Sequence, residues 1–384
     1  MHLLALLSFI GWMFVNGDFH HAMLVAVAVL IITCPCALGL AVPVVQVIAA
    51  GRLFQNGVMV KDGSAMERLA EIDTVLLDKT GTLTVGEPRL VNGGDIQPSI
   101  LATAAGLAVH SRHPLAMAIH DAAAIAPVVN GDIREIPGAG IEAQTQTGLY
   151  RLGSRAFACG DAGEATGQSD VILSLDGREL ACFRFEDRLR PFARESIEEL
   201  GRLGLSTGIL SGDRAPVVSA LAKRAGIERF KAELTPRGKV DECAAAAEGG
   251  HRVLMVGDGI NDAPALRAAH VSMAPATAAD VGRQAADFVF LHQGLDAVPM
   301  AIDTSRRAGR LIRQNFALAI GYNVIAVPIA IMGYATPLIA AIAMSTSSII
   351  VVANALRLRA KVAKSAAAIE RQAPTTLGAI GSAS

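Results

Sequence analysis

The sequence lacks any dense block of lysine and arginine interleaved with aromatic residues. Its 34 Lys and Arg residues nearly balance 35 Asp and Glu residues, which leaves a net charge of -1. Proteins that bind nucleic acid need an excess of basic side chains to neutralise phosphates, so this balance argues against a nucleic-acid partner. The five cysteines stand in separate contexts and suggest no disulfide framework.

Charged side chains are also missing from residues 22 to 50, a segment long enough to span a bilayer as a helix. Further apolar stretches cover residues 2–15, 315–335 and 337–356, whereas 52–313 carries nearly all the charges. The first stretch has no preceding basic residues and runs directly into a second span, which disfavours a signal peptide. We therefore predict a large soluble domain between two helical hairpins.

The basic residues indicate the orientation of these hairpins. Arg52 and Lys61 follow the second apolar stretch, a group of arginines between 306 and 313 precedes the third, and Arg357 follows the fourth. The loops "NGDFHHA" and "GYATP" contain no Lys or Arg. Because cytoplasmic loops carry an excess of Lys and Arg, the soluble domain and the C-terminus are predicted to be cytoplasmic.

Three apolar runs within the soluble region end in polar side chains. Asp78 ends "TVLLD", Ser211 and Asp213 follow "STGIL", and Asp258 follows "VLMVG". Helix-like segments separate these strand-like runs, and such alternation predicts a parallel sheet. Ligands bind beyond the carboxyl ends of parallel strands, so we expect the three strand ends to form one site.

The chemistry expected at this site is phosphoryl transfer. Asp78 precedes a tight turn at Lys79, Thr80 and Gly81, which exposes its carboxylate and frees backbone amides to meet phosphate oxygens. A carboxylate can attack a phosphoryl group and form an aspartyl phosphate. Asp258 would supply oxygens to magnesium. The predicted magnesium ligands are Asp78, Thr80 and Asp258.

Four further side chains are expected to support this reaction. Lys239 in "TPRGK" would neutralise phosphate charge, and Ser211 would donate a hydrogen bond to the phosphate. Asn261 and Asp262 lie just beyond Gly259 and are suited to orient the other groups. The complete set of predicted catalytic residues is Asp78, Lys79, Thr80, Ser211, Asp213, Lys239, Asn261 and Asp262.

Ordinary turns are the alternative interpretation, because Asp, Gly and Asn are common at strand ends. "GDG" or "SGD" alone would fit that interpretation, but "DKTGTLT" followed by "GDGIND" is rarely a coincidence. With these motifs the sequence resembles the P-type ATPases, and "TCPC" within a span is similar to the heavy-metal-transporting, type IB, branch. The resemblance covers essentially the whole chain and includes "SRHPLA", "PGAG" and "MSTSSIIVVANALRL" in family order.

This resemblance implies a transmembrane α-helical bundle and a cytoplasmic α/β, haloacid-dehalogenase-like (Rossmann-like) phosphorylation domain with an inserted α+β nucleotide-binding domain. Two transmembrane helices with the Cys-Pro-Cys metal site are expected in 1–50 and two more in 301–358. The phosphorylation domain would comprise 51–90 and 180–300, and the nucleotide-binding domain 91–179. A disordered tail is predicted for 359–384.

The insertion resembles the nucleotide-binding domain of the branch in two places. "HSRHPLA" is similar to its His-Pro signature, in which the histidine contacts the nucleotide, and "PGAG" looks like a glycine turn that lets the backbone approach ATP. Either pattern alone is typical of a surface turn, but their order between two halves of a phosphorylation domain favours nucleotide binding. The nucleotide-contacting residues implied are His113, Pro114, Gly138, Gly140 and Gly153.

Two positions depart from the pattern of the branch. Arg112 replaces a glutamate that often precedes the histidine, and Ser154 stands where asparagine is frequent. Contacts to the nucleotide are therefore expected to differ in detail.

Cys34 and Cys36 flank Pro35 in the middle of the uncharged segment. Proline removes a backbone donor and bends or unwinds the helix, which would present both sulfurs to the interior of the bundle. Thiolates prefer copper(I), zinc or cadmium to calcium or magnesium. As an alternative, both cysteines pack as small hydrophobic residues and Pro35 only kinks the helix. The pairing of the cysteines, in a chain with a phosphorylation site, favours a transport site.

The other apolar stretches indicate which metal is carried. "GYNVIAVP" and "AMSTSSI" contain no acidic residue and no lysine. Zinc or cadmium normally needs compensating carboxylate charge, whereas copper(I) accepts thiolate and thioether ligands without it. The set that resembles the copper(I) subgroup is Cys34, Cys36, Tyr322, Asn323, Met344 and Ser348. Met and Ser are also ordinary helix-packing residues, so Ser348 is the least specific member.

The function expected from this resemblance is ATP-driven export of copper(I) through an aspartyl phosphate, in a bacterial inner membrane. The alternatives are a zinc or cadmium pump, and a membrane-anchored phosphatase or inert truncated remnant. The phrasing of "AVPVVQVIAAGRLFQNGVMVKDGSAMERLAE" resembles pumps that supply copper for cytochrome oxidase assembly, which implies a copper chaperone or acceptor as partner. Further spans and an actuator domain with Thr-Gly-Glu do not appear, which predicts a C-terminal fragment that becomes phosphorylated and then stalls.

Overall fold

The structure is a computed structural model, and it describes residues 1–125, 127–160, 170–259 and 261–360. The tail predicted to be disordered comprises residues 359–384, and its residues 361–384 lie outside the described residues. The chain divides into two compact units. The helical unit comprises Met1–Glu71 and the described residues from Met300 onward, and the sheet unit comprises Ile72–Pro299.

The helices are α1 (His2–Asn16), α2 (Phe19–Ile32), α3 (Cys36–Ala41), α4 (Pro43–Gln55), α5 (Ala65–Ala70), α6 (Pro98–Ala108), α7 (Pro114–Ala122), α8 (Arg155–Cys159), α9 (Ala193–Arg202), α10 (Ala215–Ala225), α11 (Pro236–Glu248), α12 (Ala263–Ala268), α13 (Asp280–Ala285), α14 (Ala297–Ile331) and α15 (Pro337–Ala360).

The strands are β1 (Val58–Val60), β2 (Thr74–Asp78), β3 (Thr84–Leu90), β4 (Asp132–Ile136), β5 (Gly140–Thr145), β6 (Gly148–Gly153), β7 (Asp170–Leu175), β8 (Arg178–Leu189), β9 (Ser206–Leu210), β10 (Arg229–Lys231), β11 (Val253–Val256), β12 (Val271–Pro275) and β13 (Phe288–Phe290).

Proline interrupts the first long apolar run of the helical unit. Helix α2 ends at Ile32 and α3 begins at Cys36, so the chain is non-helical around Pro35. The Thr33 hydroxyl donates to the carbonyl of Val29 at 2.7 Å, which also accepts from the Thr33 amide at 2.9 Å. The break therefore places both cysteines beside an unwound segment, as the position of Pro35 predicts.

Three helical segments of this unit are long and apolar enough to cross a membrane. They are Phe19–Gln55, Ala297–Ile331 and Pro337–Leu358, and a shorter apolar helix covers His2–Asn16. Large apolar side chains such as Phe14, Val47 and Val324 are exposed along these helices. A surface of this kind is unfavourable in water and suits contact with lipid.

The sheet unit contains a parallel sheet with strand order β13-β12-β11-β2-β9-β10. Its central strands are hydrophobic on both faces, because helices cover both sides of a parallel sheet. All four residues of β11 are buried, and Cys243 of α11 and Leu266 of α12 belong to the core cluster around Met255. The expected parallel sheet, with helices between its strands, is confirmed.

A second sheet of the same unit is antiparallel, with order β3-β8-β7-β6-β5-β4. Helices α6 and α7 supply Leu107 and Ile119 to its core, which also contains Phe183. Strands β3 and β8 connect this sheet to the parallel one, since β3 follows the turn after Asp78 and β8 leads towards α9. The insertion is therefore an α+β domain, while its boundaries at 91 and 179 stay a prediction.

Candidate active site

Asp78 is the last residue of β2, and parallel pairing places it at a shared edge of the sheet. It lies opposite Leu210 of β9, and Leu77 lies opposite Val256 of β11. Polar side chains that follow these three strands therefore converge at one edge, as expected from the sequence. Asp78 is buried, with 5% of its surface exposed, so the expectation that the turn exposes its carboxylate is wrong.

Lys239, in the first turn of α11, lies between two carboxylates. Its Nζ donates to Asp78 Oδ1 at 2.5 Å and to Asp262 Oδ1 at 2.6 Å. All three side chains are almost completely withdrawn from solvent. Such an ion pair exists in a protein interior only when its members compensate one another, so Lys239 holds both acids in place.

The cluster shifts the acidities of its members. The pKa of Asp78 is raised from 3.8 to about 7, chiefly by burial and also by the charge of Asp262, while Lys239 acts in the opposite direction. Burial alone would lower the pKa of Lys239, but the charges of Asp78 and Asp262 outweigh burial and raise it. Asp78 thus depends on nearby positive charge to stay ionised.

Three carboxylates of this cluster are suited to a hard divalent cation. Oxygens of Asp78, Asp258 and Asp262 all lie within 4.8 Å of one another. Asp262 Oδ2 is buried and has no hydrogen-bond partner among the residues that the structure describes. A buried carboxylate oxygen without a hydrogen bond lowers the stability of the fold. Magnesium binds carboxylate oxygens and would supply the missing partner. The residues present therefore fit magnesium.

The other predicted catalytic residues surround this cluster. Lys79 forms an ion pair with Asp213, and Ser211 is buried and accepts a hydrogen bond from the Asp213 amide at 3.1 Å. Thr80 and Asn261 are exposed. Asp262, predicted only to orient other groups, instead contacts Lys239 directly and belongs to the acidic cluster.

Gly259 allows the loop after β11 to pack closely against α13. Its φ is +79°, and a Cβ there would lie 1.9 Å from the Cα of Gly282. The adjacent Asp258 accepts a backbone hydrogen bond from Ala279 at 3.1 Å. The position of Asp258 in the cluster therefore depends on this backbone contact.

Gly259→Ala is expected to destabilise the sheet unit by at least about 2 kcal/mol more than Gly226→Ala. Both residues have a left-handed backbone conformation, but a Cβ at Gly226 would have no atom within 4 Å. Gly226→Ala thus incurs only the backbone strain of about 1–2 kcal/mol, whereas Gly259→Ala adds overpacking. Urea-dependent alkylation of buried Cys243, followed by mass spectrometry, measures both variants. Equal shifts of the urea midpoint would contradict the packing role of Gly259.

Arg190 is a functional candidate that the sequence reasoning missed. Its guanidinium is buried and donates to the carbonyls of Gly81 at 2.6 Å and of Thr82 at 2.8 Å, within the turn after Asp78. A third donor reaches the carbonyl of Gln293 at 3.2 Å. A further contact reaches the Thr277 hydroxyl at 3.2 Å. Because all of these partners lie 87 or more residues away, no local sequence pattern indicates this role.

The predicted nucleotide contacts divide into two groups. His113 caps α7, where its Nδ1 accepts from the Leu115 amide at 3.3 Å. Gly140 and Gly153 face each other on β5 and β6, and a Cβ on Gly140 would lie 2.2 Å from the carbonyl oxygen of Leu152. Close strand packing is thus sufficient to require both glycines. Gly138 has a φ of +76° in the turn before β5.

A cleft of about 1020 Å³ opens between the two sheets of this unit. His113 and Pro114 line it from the insertion, and Lys79, Thr80 and Asp213 line it from the parallel sheet. Gly138, Gly140 and Gly153 are not among its lining residues. The cleft therefore connects the His-Pro segment with the turn that follows Asp78.

In the helical unit, the segments that carry the predicted metal ligands pack together. Ala37 of α3, Ala319 of α14 and Val351 of α15 belong to one buried cluster. Tyr322 Oη and Asn323 Oδ1 are buried without hydrogen-bond partners among the described residues. Ser348 Oγ instead donates to the carbonyl of Met344 at 3.2 Å, so its hydroxyl is already engaged.

The structure joins Cys34 and Cys36 in a disulfide. The sequence suggests no disulfide framework, whereas the structure contains this pair and has Cys159, Cys182 and Cys243 as thiols. The unwound chain around Pro35 brings the two sulfurs together, with a Cα–Cα distance of 5.5 Å. Only the reduced, thiolate form can bind a soft metal ion.

An aspartate at the end of a parallel strand, beside a buried lysine and two further carboxylates, is an arrangement suited to phosphoryl transfer. The family model for the haloacid dehalogenase-like hydrolases matches residues 72–270. The Nitrogen fixation protein FixI of Rhizobium meliloti (strain 1021) is 76% identical over 94% of this chain and 48% of its own length. A Copper-exporting P-type ATPase of Mycobacterium tuberculosis (strain ATCC 25618 / H37Rv) is 37% identical over 93% of this chain and 49% of its own length.

The crystal structure of a zinc-transporting PIB-type ATPase in the E2.Pi state is also similar. It matches with a TM-score of 0.80 and 31% identity over 93% of this chain and 61% of that chain. The chain belongs to the haloacid dehalogenase-like hydrolases and, within them, to the type IB P-type ATPases. It spans about half the length of the curated relatives that it matches.

Proposed function

We propose that this chain is the catalytic and ion-binding part of an ATP-driven copper(I) exporter. The observation that carries the proposal is the buried contact of Lys239 with Asp78 and Asp262 at the end of the parallel sheet, beside a cleft that also contains His113. The chemistry is transfer of the γ-phosphoryl group of ATP to Asp78. The Asp78 carboxylate oxygen forms a bond to phosphorus as the bond between phosphorus and the leaving oxygen of ADP breaks.

The side chains around Asp78 have separate roles in this transfer. Lys239 keeps the Asp78 carboxylate ionised and offsets the negative charge that approaches it. Arg190 holds the turn after Asp78 through the carbonyls of Gly81 and Thr82. Asp78, Asp258 and Asp262 would hold magnesium, which when bound offsets repulsion between carboxylate and phosphate.

Copper(I) is favoured as the transported ion by the ligands in the helical unit. Cys34, Cys36 and Met344 supply sulfur, and α14 and α15 contain no carboxylate near Tyr322 or Met344. The relative named as a copper-exporting ATPase supports the same ion. The proposal includes ATP and magnesium as cofactors. It places the helical unit in a bacterial inner membrane and the sheet unit in the cytoplasm. A copper chaperone or acceptor of cytochrome oxidase assembly is the proposed partner.

The test is phosphorylation of the purified chain from labelled ATP, in reducing detergent solution. Copper(I) is expected to raise acid-stable label at least about tenfold, and Cys34→Ser or Cys36→Ser to remove this stimulation, because the thiolates form the site. Cys159→Ser and Cys182→Ser, outside the apolar helices, are matched controls. Label that does not respond to copper(I) would overturn the proposal.

Zinc is the second candidate, because the structural neighbour with a TM-score of 0.80 is a zinc-transporting ATPase. Titration of phosphorylation with zinc and copper(I), in wild type and Met344→Ala, distinguishes the two. A thioether contributes to copper(I) binding and little to zinc binding. Stimulation by zinc that is unchanged in Met344→Ala would favour the zinc pump.

A further inference from the structure

The cleft between the two sheets is lined by basic and acidic side chains, and within the described part of the chain some of them form ion pairs while others do not. The basic residues are Lys79, Arg184, Arg214 and Arg224. The acidic residues are Glu186, Asp187 and Asp213. Which of these charges remains available decides what the cleft can bind.

Each acidic side chain already has a partner. Asp213 pairs with Lys79, and Glu186 accepts from Arg224 at 2.8 Å. Asp187 accepts from the Thr84 hydroxyl at 2.5 Å and from the Gly86 amide at 3.1 Å. The carboxylates of the cleft are therefore engaged and oppose an anionic ligand only weakly.

Arg184 and Arg214 remain without a carboxylate partner among the residues that the structure describes. Arg184 lies on β8, and its side chain points to the same face as that of Glu186 because strand residues alternate. Arg214 is the residue that precedes α10, directly after Asp213. The two guanidinium groups thus enter the cleft from the antiparallel sheet and from the parallel sheet respectively.

We infer that Arg184 and Arg214 together bind the polyphosphate of the nucleotide, each from one side of the cleft; this inference rests on the proposed use of ATP. A guanidinium offers planar, paired donors that match phosphate oxygens. A ligand with several phosphates neutralises the charges of both arginines. Without such a ligand the two positive charges would repel each other across the cleft. Binding to both also ties β8 to the start of α10, so the nucleotide holds the two sheets at a fixed separation.

Calorimetric titration of the full chain in detergent, with EDTA present, tests this inference. The probes are ADP, adenosine and inorganic tripolyphosphate, and the variants are Arg184→Gln, Arg214→Gln and the double variant. Arg178→Gln is the matched control, because Arg178 begins the same strand, is exposed and lies outside the cleft. Each cleft variant is expected to raise the Kd for ADP and tripolyphosphate about tenfold, the effect of losing one charge-assisted contact. The Kd for adenosine should change less than about twofold.

Two results would overturn the inference. Wild-type affinity for ADP in Arg184→Gln or Arg214→Gln would show that the arginine does not contact phosphate, and equal losses for ADP and adenosine would show that it maintains the fold. If the wild type binds tripolyphosphate through these arginines but binds no adenosine or ADP, the anion site stands and the proposed use of ATP fails.

Discussion

Lys239→Met is expected to lower the free energy of unfolding of the sheet unit by about 3–5 kcal/mol. Methionine fills a similar volume but supplies no charge, and it leaves Asp78 and Asp262 buried next to each other without a counter-ion. Removal of one member of a buried ion pair is among the most destabilising single substitutions, because the remaining charge has no solvent to stabilise it. The urea midpoint for alkylation of buried Cys243 measures the loss.

Lys231→Met is a suitable control. Lys231 also pairs with a carboxylate, Glu242 at 2.6 Å, but its side chain is 59% exposed. An exposed pair contributes little, so a change below about 1 kcal/mol is expected. A similar loss in both variants would contradict the special role assigned to the buried pair.

The defect of Lys239→Met should also depend on pH in metal-free buffer. Asp78 has a native pKa of about 7 against 3.8 for the unfolded chain, and Asp262, Asp258 and Lys239 are the charged groups around it. At pH values between these two pKa values the native state binds more protons than the unfolded state. The contribution of this carboxyl group therefore lowers the free energy of unfolding as the pH rises. Without Lys239 its pKa rises further. The destabilisation should therefore be smaller at pH 5 than at pH 7.5, and the opposite order would be inconsistent with this account.

Much of the phosphoryl-transfer site could be predicted because it depends on short-range patterns. Strand β2 ends in Asp78, and Ser211 and Asp258 lie just beyond the ends of β9 and β11, so parallel pairing alone brings these residues together. Lys239 lies 161 residues from Asp78, and the sequence predicts only that it neutralises phosphate charge, not that it bridges Asp78 and Asp262. The break of the helix at Pro35 followed from the chemistry of proline.

Other parts depend on contacts that leave no local pattern. Arg190 binds backbone carbonyls, and any residue supplies a carbonyl, so the sequence does not indicate its partners. Asp262 could not be distinguished from a supporting residue until the position of Lys239 was known. Arg184 and Glu186 alternate on an exposed strand, a pattern that ordinary surface charges share. Only the structure shows that both residues line the cleft.

Asp78→Asn is expected to reduce acid-stable phosphorylation from labelled ATP at least about a thousandfold, to the limit of detection. The amide is nearly isosteric with the carboxylate but is not a nucleophile, and loss of an attacking group removes almost all of the reaction that it carries out. The fold should persist, because Lys239 retains its contact with Asp262 at 2.6 Å. Stability measured by Cys243 alkylation is expected to stay within about 1 kcal/mol of wild type, in contrast to Lys239→Met.

Asp73→Asn is the control for this experiment, because Asp73 directly precedes the same strand but lies at its opposite end. Its carboxylate accepts from the Arg252 amide through Oδ2 at 3.1 Å and from the Thr74 hydroxyl through Oδ1 at 2.6 Å, and the single amide oxygen of asparagine keeps one of these bonds. The substitution lies away from the end of β2 that carries Asp78. Phosphorylation of Asp73→Asn should therefore remain near wild type. Acid-stable label that persists in Asp78→Asn at wild-type levels would place the acceptor elsewhere. The buried cluster around Lys239 would then need a different explanation, since no other carboxylate of β2 faces that edge of the sheet.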